Sequence, residues 1–165
     1  VKLFFLKDNL AITPNLINDS ITIKTQIVKD DFLDLGVRRR LNFGHTIGHA
    51  IEANSLKISE ENEALSHGIS VALGMVVECY ISHKVVGFSA DQLSEVSTVL
   101  SGLVKSVYDE IPEVDDLIPY LTRDKKNFND SINCTLLLEI GEANHDYEIG
   151  EELIKAGFEY LKSLK

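Results

Sequence analysis

The sequence predicts a mainly helical domain with a small β element near its C-terminus. Three observations carry that reading. Apolar residues recur at helical spacing through most of the chain before Lys126 and again over 150–164. Clusters of Gly, Pro, Asn, Asp and Ser divide these stretches into segments of helix length. After Lys126 the pattern changes: Asn127-Phe128-Asn129-Asp130-Ser131 is a turn cluster, and the β-rich run from Ile132 to Ile140 stops at Gly141.

Taken in order, residues 1–28 read as helical, with Leu3, Phe4, Leu6, Leu16, Ile17, Ile21, Ile23, Ile27 and Val28 as the apolar positions. Thr13-Pro14-Asn15 marks a break, and Pro14 suits a helix first turn because that N–H needs no partner. Asp30 to Gly36 is an acidic link. A helix is expected from about Phe43 to about Asn54, followed by a polar connector over 55–66. The next helix starts near His67, is rich in small residues (Gly68, Ser70, Ala72, Gly74) that let a neighbour approach closely, and ends at Gly87. Ser89 or Asp91 starts another helix through Val104. Ile111-Pro112 and Ile118-Pro119 interrupt the stretch after it, leaving one short helical turn over Leu117–Leu121. Beyond the strand, a second extended segment over Asp146–Ile149 would complete a hairpin. Gly150 to Leu164 closes the chain as an amphipathic helix with Leu153, Ile154, Phe158 and Leu161 inward.

At 165 residues, 44% hydrophobic and 25% charged, the chain is long enough for a buried core and is expected to form one domain, 1–165. No apolar run approaches the roughly 20 residues of a membrane span, and a cytoplasmic location is the expectation. The formal net charge of −10 argues against nucleic acid or an anionic membrane as partner. Cys79 and Cys134 read as buried free thiols. In so acidic a chain the local basic runs, Arg38-Arg39-Arg40 and Lys125-Lys126, gain weight as anion anchors.

The candidate chemistry gathers at Arg38-Arg39-Arg40-Leu41-Asn42-Phe43-Gly44-His45-Thr46-Ile47-Gly48-His49-Ala50-Ile51-Glu52. His45 and His49 lie four residues apart on one helix face. His67 opens a later helix, where the positive end of the dipole keeps an imidazole neutral and able to bind a metal. Thr46 stands where zinc peptidases carry their glutamate base, which argues against peptidase chemistry. Catalytic zinc takes three protein ligands and leaves a place for substrate or water. His45 and His67 are two candidates; Glu52, Glu60, Glu61 and Glu63 are possible carboxylates, and spacing selects none of them. Asn42 offers an amide for a substrate hydroxyl or carboxylate. His83 and His145 read as surface or capping residues. No phosphate loop, dinucleotide-binding glycine motif, βαβ alternation or nucleophile elbow is present.

At these residues the sequence resembles the C-terminal domain of 3-dehydroquinate synthases, within the sugar phosphate cyclases. Arg38-x-x-Leu41-Asn42-Phe43-Gly44-His45-Thr46-x-Gly48-His49-Ala50-Ile51-Glu52 carries the resemblance. His67-Gly68-x-x-Val71-Ala72-x-Gly74-Met75 and Asp124-Lys125-Lys126 come next in the family's order. The resemblance implies zinc, or cobalt, held by His45, His67 and a glutamate upstream of Val1. It implies Lys24, Arg38, Asn42, His49 and Lys125 as substrate-binding or proton-transferring residues, with Lys126 as the alternative to Lys125, and sets His49 apart from the ligands. The substrate would be a phosphorylated sugar acid, 3-deoxy-arabino-heptulosonate 7-phosphate, converted to 3-dehydroquinate. NAD would be bound mainly by an N-terminal domain absent from this chain, and the complete enzyme would be a homodimer. The chain alone is then expected to be catalytically silent and to bind zinc weakly. Two departures stand out: Asp31-Phe32-Leu33-Asp34 where the family reads Asp-Glu-x-Glu, and Ile69-Ser70 where it reads Glu-Ala after His-Gly. A related cyclase acting on sedoheptulose 7-phosphate or glucose 6-phosphate, or a noncatalytic metal-binding module, are the alternatives.

Overall fold

The computed structural model of the chain, which describes residues 14–59, 64–122 and 132–165, is organised around a helix apolar on nearly every side. That helix, α3 (His67–Val85), comes after α1 (Pro14–Asp30) and α2 (His45–Ile58) and precedes α4 (Ala90–Val104) and α5 (Val114–Leu121). A hairpin of β1 (Ile132–Glu139) and β2 (Glu142–Ile149) and the closing helix α6 (Glu151–Ser163) complete the order, with 3₁₀ turns at Val37–Asn42 and Lys105–Glu110. The expected class, mainly α with a small hairpin near the C-terminus, is what the chain adopts.

Helix α3 buries an almost unbroken run from Ser70 to Ser82 and packs against α2, α4, α6 and β1. A helix apolar all round belongs inside a bundle, not on its surface. Ile47 and Ile51 of α2, Leu73, Val76, Val77 and Ile81 of α3, Phe88, Leu117 of α5, and Phe158 and Leu161 of α6 fill the core. Cys79 and Cys134 are both buried and unpaired, and burial pushes both thiols well above their ordinary range. No helix among the described residues is long and apolar enough to cross a membrane.

Four boundaries differ from the sequence reading. Helix α2 continues to Ile58, so the first part of the expected connector is helical. Buried Ser55 explains the extension, its Oγ accepting the Leu65 N–H at 2.8 Å and tying the helix end to the start of the α3 segment. Helix α5 begins at Val114, with Asp115 and Asp116 in its first turn complementing the dipole, and absorbs Pro119. Strand β2 starts at Glu142 because Ile140-Gly141 is a two-residue turn, with Gly141 at φ +100°. The Val37–Asn42 turn has no counterpart among the expected helices. Asp31 organises its approach, accepting N–H groups from Leu35, Gly36 and Arg38 at 3.0, 2.7 and 3.1 Å. Those bonds, Leu35's first, hold its carboxyl below the usual carboxylate range.

Candidate metal and substrate site

Close packing of α2 on α3 builds the site. Gly44 precedes α2 at φ +78°, and a Cβ there would meet the Met75 side chain and the Val71 carbonyl. Gly48 and Gly74 face each other so closely that a Cβ on Gly74 would lie 2.6 Å from Gly48 N. This contact needs glycine, and it sets the first turn of α2 across the second turn of α3, one turn beyond His67.

The result is a cluster of three imidazoles. His45, His49 and His67 each present a ring nitrogen within 4.8 Å of the others. Ring centroids are 5.4 Å apart for His45–His49, 5.6 Å for His45–His67 and 5.7 Å for His49–His67. His45 Nδ1 lies 3.1 Å from the Phe43 carbonyl, which can only accept, so that nitrogen carries the proton and Nε2 keeps its lone pair. His67 Nδ1 lies 3.0 Å from Glu52 Oε2, which fixes the same tautomer. Burial lowers the pKa of His45, helped by His49, His67 and Lys24. Imidazoles oriented through Nδ1 by a carbonyl and a carboxylate are the usual arrangement of metal-binding histidines. The donor set therefore fits a divalent ion. Glu52, a possible ligand by sequence, instead orients His67.

Two of the three, His45 and His49, border a cleft of about 310 Å³ that Asp34, Arg39, Asn42, Thr46, Asn133, Thr135, His145 and Asp146 also line. Its far wall is the hairpin, tied to the site by Thr46 Oγ1 donating to the Asn133 carbonyl at 2.9 Å and Thr135 Oγ1 to the Arg39 carbonyl at 3.2 Å. Cys134 pairs with Tyr147 and Leu136 with Asn144, so His145 and Asp146 together oppose Thr135. This is a β-bulge, with Asp146 at φ +63°, and such bulges re-aim side chains. Here both residues line the cleft. Asp146 Oδ2 accepts from Arg39 Nη1 and from His145 Nδ1, each at 2.8 Å. Burial alone would raise the Asp146 carboxyl, but His145 and Arg39 hold it below its ordinary value.

The residues singled out in sequence fall unevenly. Asn42, His45 and His49 line the cleft, and His67 joins them. Lys24 lies on α1 in a shallow groove with Ile21, Val28 and Phe32, near enough for its charge to act on His45. Arg38 turns to the Phe32 carbonyl, donating from Nη1 at 3.1 Å, and its neighbour Arg39 takes the place in the cleft wall. His145, read as a surface residue, is also in that wall. His83, read as a surface or capping residue, holds the loop after α3, its Nδ1 2.7 Å from the Phe88 carbonyl. Lys125, Lys126, Glu60, Glu61 and Glu63 lie outside the described residues.

Sequence reasoning also missed Glu78. It is fully buried on α3, and its carboxyl accepts the N–H of Gly44 at 2.6 Å and of Ile47 at 3.4 Å, at the start of α2. Burial pushes this carboxyl up to about 8 against the pull of those N–H groups and that of Thr46. A charged residue in an otherwise apolar helical run was the available signal.

A family model described as 3-dehydroquinate synthase C-terminal matches residues 4–127. The 3-dehydroquinate synthase of Parabacteroides distasonis is 35% identical over 155 residues, covering 93% of this chain and 43% of that protein. That of Pyrococcus furiosus is 35% identical over 154 residues, covering 90% and 41%. The chain thus spans about two fifths of the length of the curated relatives it matches. Among solved structures, 2-deoxy-scyllo-inosose synthase complexed with carbaglucose-6-phosphate, NAD+ and Co2+ is similar with a TM-score of 0.70 at 23% identity, covering 89% of this chain and 41% of that one. A 2-epi-5-epi-valiolone synthase from Streptomyces hygroscopicus with NAD+ and Zn2+ bound is similar with a TM-score of 0.71 at 17% identity, covering 92% and 40%. At those identities the likeness is one of fold.

Proposed function

Because the chain belongs to the 3-dehydroquinate synthase C-terminal family, we propose that it is the metal- and substrate-binding domain of an enzyme converting 3-deoxy-arabino-heptulosonate 7-phosphate to 3-dehydroquinate and phosphate. The observation that carries this reading is the clustering of His67 with His45 and His49, which line a cleft that also holds Asn42 and Arg39.

In this reading 1–165 is one helical domain, and the rest of such a protein brings the NAD-binding fold and the further glutamate ligand. The complete protein acts in the cytoplasm as a homodimer. His45 and His67 would hold zinc or cobalt through Nε2, since Phe43 and Glu52 engage Nδ1. Bound there, the metal and NAD would supply Lewis acidity at a ring oxygen and reversible hydride transfer, so that NAD is unchanged overall. The protein's own side chains bind and orient. Lys24, Arg38 and Lys125 contribute positive charge toward the substrate carboxylate and phosphate, and Arg39 adds a guanidinium in the cleft wall. Asn42 can donate to a carboxylate and accept from a hydroxyl. His49, beside the two ligands and without their fixed role, is suited to take or return a proton at a substrate oxygen.

A second reading keeps the site and changes the substrate. Ile69-Ser70 comes after His67-Gly68 where dehydroquinate synthases carry Glu-Ala, and the similar solved structures are a 2-deoxy-scyllo-inosose synthase complexed with carbaglucose-6-phosphate and a 2-epi-5-epi-valiolone synthase. One assay separates the two: phosphate release by this chain joined to its native upstream segment, with NAD and zinc. Release from the heptulosonate with 3-dehydroquinate as product, abolished by His67→Ala, is the expected result. Turnover of sedoheptulose 7-phosphate or glucose 6-phosphate instead assigns a sister cyclase, and silence on all three refutes an enzymatic role.

A further inference from the structure

Glu78 is a fully buried acid that the proposed chemistry does not use. It lies on α3, about three turns beyond His67 on the same helix. From there it reaches under the start of α2, where the first N–H groups of a helix have no partner of their own. Gly44, at the position where a Ser, Thr or Asp side chain would satisfy them, carries none. It cannot be given one: its backbone is left-handed, and a Cβ would crowd the Val71 carbonyl at 2.9 Å. The cap is supplied instead from α3, by Glu78 Oε2 to Gly44 N and Oε1 to Ile47 N. Those two N–H groups bracket His45, and His49 stands one turn on.

We infer that Glu78 is the positioning residue of the histidine cluster, holding the His45–His49 turn of α2 at a fixed height and rotation against His67. The inference rests on the reading of that cluster as a metal centre. The geometry behind it is simple. One rigid helix carries both His67 and the carboxyl that grips the other two histidines, so a single element sets all three. The Gly48–Gly74 contact brings the helices close, but glycines facing each other do not fix sliding or rotation. Directed hydrogen bonds do. Cys79, Val77 and their neighbours on α3 are apolar, and Glu78 is the group there that bonds to the N–H groups of α2.

The test is cobalt binding by the chain joined to its native upstream segment, measured by titration and by the visible ligand-field spectrum. Glu78→Ala is expected to weaken Co2+ binding about 10–100-fold, the usual effect of losing an outer partner of a metal site, and to alter the spectrum. Glu78→Gln, which keeps one acceptor oxygen, should fall between it and the wild type. Leu100→Ala, a core truncation on α4 with no part in the site, should lower Tm and leave both affinity and spectrum as they were. Wild-type affinity and spectrum in Glu78→Ala overturn the inference, as does a loss of affinity that tracks Tm equally in Leu100→Ala. If Glu78→Ala does not fold, wild-type behaviour in Glu78→Gln overturns it. If the wild-type protein, upstream segment included, binds no cobalt, the metal reading of the cluster fails first and takes this inference with it.

Discussion

Glu78 shows how much the site depends on one residue whose role only the fold reveals. Its carboxyl titrates near 8 in the folded chain against an ordinary value of 4.5, chiefly through burial. Between those values the unfolded chain has released the proton and the native chain still holds it. Native protein therefore binds more protons, and stability falls as pH rises from about 4.5 through about 8. Thermal melting of the metal-free chain across that window should show a downward trend with rising pH that Glu78→Gln lacks; parallel profiles would refute it. His45, His49 and His67 are legible in the sequence because spacing and a helix start mark them. Arg39, His145 and Glu78 are not. Arg39 and Arg38 are adjacent and chemically alike, so only the turn over Val37–Asn42 decides which of them enters the cleft. His145 enters through a bulge whose register depends on pairing between strands. Glu78 matters only once α2 and α3 cross.

At the scale of elements, the crossing of α2 and α3 governs the site, and small residues make it possible. Gly68 has open space around it, but Gly74 meets the Gly44 carbonyl and Gly48 backbone with no room for a methyl group. Gly74→Ala should force the helices apart at a cost of about 1–3 kcal/mol, as overpacked cores do. For a chain of this size each kcal/mol is about 2–4 °C of Tm. The same variant should bind metal more weakly, because His67 moves with α3. A Tm within about a degree of wild type would contradict so tight a contact. The run of small residues in α3 announces a close neighbour from sequence alone. The end of α2 does not announce itself, since Leu56 and Ile58 are exposed apolar residues in a polar stretch, and Ser55 acts through a bond to Leu65. Helix α5 is longer than the sequence suggests because its first turn, with Asp115 and Asp116, comes just after Ile111-Pro112, which reads as a break; Pro119 lies inside it. In a helix of eight residues it removes one hydrogen bond and is tolerated.

For the molecule as a whole, the core and the site divide the chain between them. The apolar faces of α3, α4, α5 and α6 close around one another, while the histidines, Asn42 and the bulged hairpin gather at the start of α2. Helix α1 stands apart from that core: it has no buried residue, and Leu16, Ile17 and Ile21 are exposed. Its apolar positions are readable in sequence, but periodicity states only that a helix has an apolar face, not what covers it. The acidic net charge argues against nucleic acid and gives meaning to the few cations near the cleft. The central claim is that His45 and His67, from two helices, hold one metal with His49 beside it. Anomalous diffraction at the zinc edge, from crystals of this chain joined to its native upstream segment and grown with zinc, tests it most directly. We predict one strong peak bounded by Nε2 of His45 and His67 with His49 beside it, lost in His67→Ala. A peak elsewhere, or none at that cluster, would contradict it.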